Sequence, residues 1–423
     1  MSKILMRAAM SPLDNQTPFQ VLTSNSIGNN IGNLLFPHSV SRTLMTKGTQ
    51  IDTINFSKVS GSPLAIQKEA KRINQEYDYL VLPFANAFRV SFINELKRIT
   101  AIVKQLDIPC VVVGVGMQAA LGKKLKNQEL AEAVTDFVKA ILDKSACLGL
   151  RGEHTAEYLK QLGFQAERDY TVIGCPSMFM YGKDLPKPRV KPLTKYSSVS
   201  TNSKISLPQN FHHFMYRCRQ EIPDYYYVPQ VIEEIYRMYV GMPYPAKFAT
   251  KIPKYFPADF SDPVYAQDHA RTFFNVKAWL DFLRQRDFSF GSRIHGNIAA
   301  ILAGIPAYVF VSDQRILELV DYHHIPHSMI ADIKEDTSIF DVYEKADFTQ
   351  LLEGHEGRFL HYLDFLRNNG LPTVYDRKGN PKTVYFDDKL EEIDFLPGIK
   401  AFPTVSLEEQ TERLDKVFRR LRK

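Results

Sequence analysis

Apolar residues follow two alternating patterns in the first half of the chain: short unbroken runs, and longer runs with helical spacing. We predict the short runs to be strands at 51–56, 77–84, 110–113 and 146–150, of which 110–113 is a β-branched run. The longer runs predict amphipathic helices at 90–106 and 128–142. Strands separated by helices of this length build a parallel sheet that is covered on both faces.

A proline- and lysine-rich stretch without periodicity separates this half from a second strand–helix pattern. We therefore predict an N-terminal α/β domain at 1–181, a linker at 182–195, a second α/β domain at 196–335 and a C-terminal extension at 336–423. The extension matches the alternation poorly and ends in a charged helix with an apolar stripe. A chain of 423 residues is long enough for two cores.

Composition narrows the class of protein. The chain is 44% hydrophobic and 24% charged, and its sequence has no apolar run of about 18 residues that could span a bilayer. Its four cysteines lie far apart, as expected of reduced, buried thiols. The N-terminal residues lack the pattern of a signal peptide, so we expect a cytoplasmic protein.

The formal net charge of +6 is a mild excess, and its one dense basic tract is Lys416–Lys423. An anionic substrate or an anionic membrane surface explains this charge at least as well as nucleic acid does, and we expect no nucleic-acid partner. Two interpretations of the last helix stay open. It either contacts the inner face of the cell membrane peripherally or packs back on the first domain.

The segment 287–311 predicts a strand, a tight turn, a helix and a second strand. Gly291 permits the turn, and Ser292 is placed to cap the helix that follows. Gly304 and Pro306 end that helix. Because a strand ends and a helix begins at this turn, free backbone N–H groups and the helix dipole favour an anion there.

Two side chains at this turn add chemistry. The guanidinium of Arg293 is suited to a carboxylate or phosphate, and His295 can exchange a proton near neutral pH. Gly296 would let a ligand approach the backbone closely. The alternative is structural: Arg293 pairs with an acidic neighbour, and His295 caps the helix.

The segment Phe288–Leu319 resembles the signature of the polysaccharide pyruvyltransferase family: a strand, Ser-Arg-x-His-Gly, an Ala-rich helix ending in Ala-Gly-x-Pro, and a strand followed by Asp and a basic residue. Weaker matches are the glycine loop Ser26–Asn33, the turn after Pro109, and the Arg-acidic-helix element at Leu148–Gly163. The chain departs from the pattern at Asn33, where the family commonly has Asp, and in Leu82–Arg89, where a triple glycine is absent.

The resemblance implies transfer of the carboxyethylidene unit of phosphoenolpyruvate to two hydroxyls of a sugar, with release of phosphate. Phosphoenolpyruvate enters as a co-substrate, and this scheme requires neither a cofactor nor a metal ion. The acceptor is expected to be a sugar of a polysaccharide or lipid-linked precursor, as in capsule or exopolysaccharide synthesis. We expect a GT-B-like fold, in which two Rossmann-like domains face one another across a cleft.

The expected site residues fall into three groups. The catalytic residues are His295 and Arg293. The donor-binding residues are Ser292, Arg293, Gly296, Asn297, Arg151 and Arg315. The acceptor-binding residues are Asn29, Asn33 and Gly116. For Arg151, the alternative is a salt bridge with Glu153 or Glu157.

Two other functions fit the same fold. One is a glycosyltransferase that uses a nucleotide sugar, since such enzymes also place a basic residue at a helix start in the second domain. The other is a non-catalytic protein of polysaccharide assembly that has kept the fold. The intact Arg293 and His295 favour an enzyme.

Overall fold

The computed structural model describes residues 2–122, 125–245, 252–376 and 380–421. Within these residues the chain forms thirteen strands. In chain order they are β1 Ser2–Arg7, β2 Thr49–Ile54, β3 Tyr79–Pro83, β4 Cys110–Val113, β5 Leu148–Leu150, β6 Tyr170–Val172, β7 Val199–Asn202, β8 Tyr225–Tyr227, β9 Arg271–Thr272, β10 Phe288–Gly291, β11 Ala307–Val311, β12 His327–Met329 and β13 Ile399–Lys400.

The α-helices that cover and connect these strands are α1 Pro18–Ser24, α2 Leu35–Leu44, α3 Pro63–Glu76, α4 Ile93–Val103, α5 Gln128–Leu142, α6 Glu153–Gln161, α7 Gln209–Glu221, α8 Ile232–Val240, α9 Pro263–Ala266, α10 Val276–Arg284, α11 Ile294–Leu302, α12 Gln314–His323, α13 Ile339–Glu344, α14 Thr349–Glu353, α15 His355–Asn368, α16 Tyr385–Glu391 and α17 Leu407–Leu421. Short 3₁₀ helices lie at Ile31–Leu34, Phe56–Lys58, Val90–Phe92, Pro176–Phe179, Ile330–Asp332 and Phe402–Thr404.

The first sheet is parallel and has the strand order β2-β1-β3-β4. A bridge between Val115 and Leu150 joins it to the parallel pair β5-β6. Successive residues of its central strands enter different cores: Leu5 packs on one face, and Ile4 and Met6 pack on the other. This burial on both faces explains why these strands are unbroken apolar runs in the sequence.

The second sheet is also parallel, with the order β12-β11-β10-β7-β8. All four residues of β10 and all five of β11 are buried, as expected of central strands covered by helices on both faces. Helix α10 begins at Val276. The preceding residues Arg271 and Thr272 pair with β13.

The two sheets build the predicted GT-B-like fold, two Rossmann-like domains with a cleft between them. The chain crosses between the domains more than once. The segment Ile31–Leu34 packs in the core of the second sheet, although it precedes β2 in sequence. Helix α15 of the C-terminal extension packs against the first sheet through Phe359, Tyr362 and Leu366.

The last helix, α17, packs against α8 and α1. Its Arg413 is buried, donates to the carbonyl oxygens of Tyr239 and Lys400, and lies 4.5 Å above the Tyr239 ring. Leu407 and Phe418 stay exposed. The helix is thus anchored on the protein, while its contact with a membrane stays a prediction; residues 422–423 of the basic tract lie outside the described residues.

Candidate active site

The turn after β10 is built by close backbone packing between two strands. Gly291 has a φ of +147°, and a Cβ atom there would collide with the carbonyl oxygen of Asn202 at the end of β7. The side-chain Oδ1 of Asn202 accepts a hydrogen bond from the backbone N–H of Arg293 at 2.7 Å. The predicted tight turn at Gly291 is therefore confirmed, and the Asn202 side chain holds the backbone of Arg293 just after that turn.

Three of the predicted donor-binding residues are buried within this turn. The prediction that Ser292 caps helix α11 is wrong: the N-cap residue is Arg293, and the Ser292 Oγ is buried without a hydrogen-bond partner. Asn297 donates to the carbonyl oxygens of Gly291 and Arg293. A Cβ atom on Gly296 would collide with the Gln230 side-chain amide. These contacts favour a role in shaping the turn over direct contact with a donor.

Arg293 is held by a buried carboxylate. Its Nη2 donates to Oε1 of Glu234 at 2.9 Å, and its Nε donates to the carbonyl oxygen of Ser203 at 2.9 Å. The Arg293 side chain is 12% exposed, while that of Glu234 is 1% exposed. Burial raises the pKa of Glu234, and the Arg293 charge opposes that shift. Arg293 therefore does pair with an acidic residue, as the alternative interpretation of the sequence predicted, and that residue is Glu234 of helix α8.

His295 lies at the mouth of the turn and faces the cleft between the domains. Its ring meets that of Phe36 edge-on, with 4.7 Å between centroids, and its Nε2 lies 3.9 Å from the Cys175 Sγ. Burial, followed by the charges of Arg151 and Arg315, lowers the pKa of His295 well below its ordinary value. Its imidazole is therefore neutral near pH 7.

Arg151, at the carboxyl end of β5, is fully buried. Its Nε donates to the carbonyl oxygen of Gly114 at 2.9 Å, and its Nη2 donates to that of Phe84 at 3.2 Å. Its guanidinium lies 4.7 Å from the Phe36 ring centroid, so Arg151 and His295 share this ring. The Nη1 atom is buried without a partner.

This arrangement of Arg151 differs from the predicted alternative, a salt bridge with Glu153 or Glu157. The carboxylate in its electrostatic surroundings is Glu318, on α12. The hydrogen bonds of this buried guanidinium go to neutral backbone carbonyls and leave its positive charge without a paired carboxylate among the described residues.

The cleft itself has a volume of about 690 Å³, within the range of small-molecule sites. Arg315 lines it together with His295. Arg315 lies in the first turn of helix α12. It forms an ion pair with Asp313, in which the Arg315 Nη2 lies 3.3 Å from the Asp313 Oδ2. Burial is the main cause that lowers the pKa of both His295 and Arg151, and the charge of Arg315 acts in the same direction on both groups.

Two of the three predicted acceptor residues line the same cleft. Asn29 is exposed there in a left-handed conformation, and Asn33 donates from Nδ2 to the carbonyl oxygens of Ile27 and Gly28. Gly116 instead allows close packing, since a Cβ atom there would lie 3.0 Å from both Arg151 Cδ and Glu318 Oε1. The structure thus brings Asn29 and Asn33 to the same cleft as His295 and Arg315.

Comparison with protein families decides the relationship. The model of the family described as polysaccharide pyruvyl transferase matches residues 30–314, about two thirds of the chain. The chain belongs to this family. The matched region includes the turn from Gly291 to Asn297 and also Arg151, and it ends one residue before Arg315. At family level, the activity is pyruvylation in polysaccharide biosynthesis.

No curated protein matches the pyruvyl transferase. Among solved structures, it is similar to the UDP-GlcNAc 2-epimerase of Methanocaldococcus jannaschii, with 10% identity, a TM-score of 0.43, and coverage of 87% of this chain and 99% of that chain. It is also similar to Anabaena HepE in complex with UDP and glucose, with 11% identity, a TM-score of 0.44, and coverage of 88% and 98%. The sucrose-phosphate synthase of Thermosynechococcus elongatus has 9% identity, a TM-score of 0.40, and coverage of 100% and 99%.

Several residues of this candidate site were not predicted from the sequence. Arg7 and Arg89 line the cleft from the first domain, Glu234 holds Arg293, and Glu318 accepts hydrogen bonds from Thr155 across the domain boundary. A signal for Arg89 was its position beyond the predicted strand 77–84, whereas Arg7 is the last residue of β1, a strand that was not predicted. The partners of Arg7, Glu234 and Glu318 lie 59 or more residues away in sequence, so no local pattern connects them.

Over the described residues of the pyruvyl transferase, no group of three or more His, Cys, Asp or Glu side chains is arranged to hold a metal ion. In the same part of the chain, no helix is long and apolar enough to cross a bilayer.

Proposed function

We propose that this pyruvyl transferase uses phosphoenolpyruvate as donor and transfers its carboxyethylidene group to two hydroxyls of one sugar. One observation carries the proposal: His295 and Arg315 line a single cleft. The buried Arg151 lies close by, because its guanidinium and the His295 ring both contact the Phe36 ring, and its Nη1 has no hydrogen-bond partner. A donor that carries both a phosphate and a carboxylate matches this concentration of cationic groups.

The reaction needs a proton at the methylene carbon of the donor. Protonation of that carbon lets a sugar hydroxyl attack the adjacent carbon, and the bond to phosphate then breaks as the second hydroxyl attacks. Of the two hydroxyl protons lost, one balances the proton gained by the methylene carbon, and the other leaves with phosphate. In this proposal His295 delivers the first proton and takes one back from a hydroxyl.

Arg315 lines the cleft and Arg151 lies behind it, and their positive charges attract the donor's acidic groups. Arg293 has a different place in the proposal. Because Glu234 and the Ser203 carbonyl already hold its Nη2 and Nε, Arg293 chiefly positions the turn that carries His295. Its direct contact with the donor stays a prediction.

The Ser26–Asn33 loop serves the acceptor in this proposal. Asn29 and Asn33 lie on the cleft and carry amide groups, which can donate to and accept from neutral sugar hydroxyls. The acceptor is proposed to be part of a polysaccharide precursor, in keeping with the family.

A phosphate-release assay with phosphoenolpyruvate and candidate lipid-linked sugars tests the activity. His295→Ala should still bind phosphoenolpyruvate while its turnover falls by about 10²–10⁴-fold, the usual loss for a missing general acid. His213→Ala, a half-buried histidine that does not line the cleft, is the matched control. Near-wild-type turnover in a folded His295→Ala variant would exclude His295 as the acid.

Thermal melting separates this function from nucleotide-sugar transfer. Phosphoenolpyruvate should raise the melting temperature of the whole chain, because it binds the folded protein alone, whereas UDP should leave that temperature unchanged. Stabilisation by UDP without stabilisation by phosphoenolpyruvate would contradict the proposal.

A further inference from the structure

The first-domain wall of the cleft carries positive charge beyond the donor site. Among the described residues that line the cleft, Arg7, Lys58 and Arg89 lie on the first domain, and Glu95 is the one carboxylate. Glu95 is already paired, since the Arg98 Nη1 lies 2.7 Å from its Oε2. The cleft therefore keeps an excess of positive charge on the side opposite His295.

Aromatic rings hold two of these cations side by side. The Arg7 guanidinium lies 4.6 Å from the Phe84 ring centroid and 5.7 Å from that of Phe92. The Arg89 guanidinium lies 5.1 Å from the same Phe92 ring. Both guanidiniums are thus preorganised on one ring at the edge of the cleft, as cation–π contacts allow.

The hydrogen bonds of these arginines go to neutral groups. Arg7 Nη1 donates to the Pro83 carbonyl oxygen at 3.3 Å, while Arg7 Nε is buried without a partner. Arg89 donates from Nη1 to the Asn86 carbonyl oxygen at 2.5 Å and from Nε to Ser91 Oγ at 3.1 Å. Neutral acceptors orient a guanidinium but leave its charge uncompensated.

The charges also repel one another. Burial lowers the pKa of Arg7 to about 10, with Glu95 opposing and Arg89 adding to that shift. Burial lowers the pKa of Arg89 as well, and the positive charge of Arg315, on the other side of the cleft, lowers it further. A bound anion would relieve both the burial cost and the repulsion.

We propose that Arg7 and Arg89 form a second anion subsite, which holds a phosphate or diphosphate ester of the acceptor; this inference rests on the proposed function, in which Arg315 and Arg151 serve the donor. Neutral sugar hydroxyls need no cations, whereas a phosphate group matches two adjacent guanidiniums. A cleft of about 690 Å³ has room for the small donor and for a phosphorylated sugar beside it.

Arg89 lies in the segment Leu82–Arg89, where the chain departs from the family pattern because it has no triple glycine. Arg89 places a charged side chain at this edge of the cleft. The subsite would then act in the choice of acceptor, while the donor chemistry stays at His295.

Calorimetry on the full chain with inorganic pyrophosphate tests the subsite directly. We expect pyrophosphate to bind in the presence of saturating phosphoenolpyruvate. Arg89→Gln should weaken that binding by about tenfold, in the range for loss of a charged hydrogen-bond donor, with phosphoenolpyruvate affinity changed less than about twofold. Arg72→Gln, on the surface helix α3, is the matched control. Arg7→Gln provides the same test if Arg89→Gln does not fold.

The subsite is excluded if saturating phosphoenolpyruvate abolishes pyrophosphate binding, or if both cleft variants bind pyrophosphate like the wild type. A chain that binds pyrophosphate through Arg89 but gives no heat with phosphoenolpyruvate would support the subsite and contradict the proposed function. With acceptors, Arg89→Gln should raise the KM of a nucleotide diphosphate sugar or of a polyprenyl diphosphate sugar, whichever is turned over. An unchanged KM for that substrate would overturn the inference.

Discussion

Replacing Glu318 with Gln should stabilise the protein much more at pH 8 than at pH 5. Glu318 is 5% exposed and joins the domains, because it accepts hydrogen bonds from Thr155 N at 3.1 Å and from Thr155 Oγ1 at 2.9 Å. Burial raises its pKa from 4.5 to about 7, although those bonds and the charges of Arg151 and Arg315 act in the opposite direction. The carboxylate form is thus disfavoured in the folded state.

The sign of the pH dependence follows from this raised pKa. Since the folded protein holds the proton of Glu318 more tightly than the unfolded chain does, the favourable contribution is complete below about pH 4.5 and is lost as the pH rises through about 7. The difference between these two pKa values corresponds to about 3 kcal/mol of unfolding free energy at pH 8. A glutamine stays neutral throughout and keeps an oxygen that can accept from Thr155.

Thermal melts of the full chain at pH 5, 6, 7 and 8 measure this effect. For a unit of domain size, about 3 kcal/mol corresponds to a rise of about 6–12 °C in the melting temperature of Glu318→Gln relative to the wild type at pH 8. Glu157→Gln, an exposed position on α6, controls for the loss of a charge nearby. Parallel curves for Glu318→Gln and the wild type from pH 5 to pH 8 would refute the reasoning.

Three further substitutions test other contacts. Glu234→Ala leaves the charge of Arg293 buried without its carboxylate and should cost about 3–5 kcal/mol in denaturant unfolding; an effect below about 1 kcal/mol would contradict this. Gly296→Ala forces a collision with a buried amide and should cost about 1–3 kcal/mol, whereas Gly357→Ala, where a Cβ meets open space, should not destabilise the fold. Asn29→Ala should raise the KM for the acceptor at unchanged phosphoenolpyruvate affinity; a larger effect on the donor would reassign the loop.

The elements that the sequence predicts best are those that local patterns determine. Strand 110–113 and helix 128–142 have the predicted bounds, because an unbroken β-branched run and regular amphipathic spacing leave few alternatives. Strand β1 was not predicted. Its six residues include a serine, a lysine and an arginine, and its position as a central strand depends on pairing with β2 and β3, which follow much later in the chain.

The site shows the same division between local and long-range causes. Gly291 and the helix after it follow from the local sequence, whereas the partner of Arg293 is Glu234, 59 residues away on another helix. Ser292 was expected to cap that helix because serine is a common cap. In the structure, the Asn202 side chain accepts a hydrogen bond from the backbone N–H of Arg293, and Arg293, one residue after Ser292, is the N-cap residue. A pattern in one segment cannot predict which distant side chain satisfies its backbone.

The neutrality of His295 has a consequence for the order of events in the proposed reaction. In the cleft without a donor, burial and the charges of Arg151 and Arg315 disfavour the imidazolium. A donor with a phosphate and a carboxylate would offset those two charges and raise the pKa of His295 toward the range in which it can act as an acid. The acid would then form only after the donor has bound, because the anion that reacts is also the anion that makes protonation of His295 favourable.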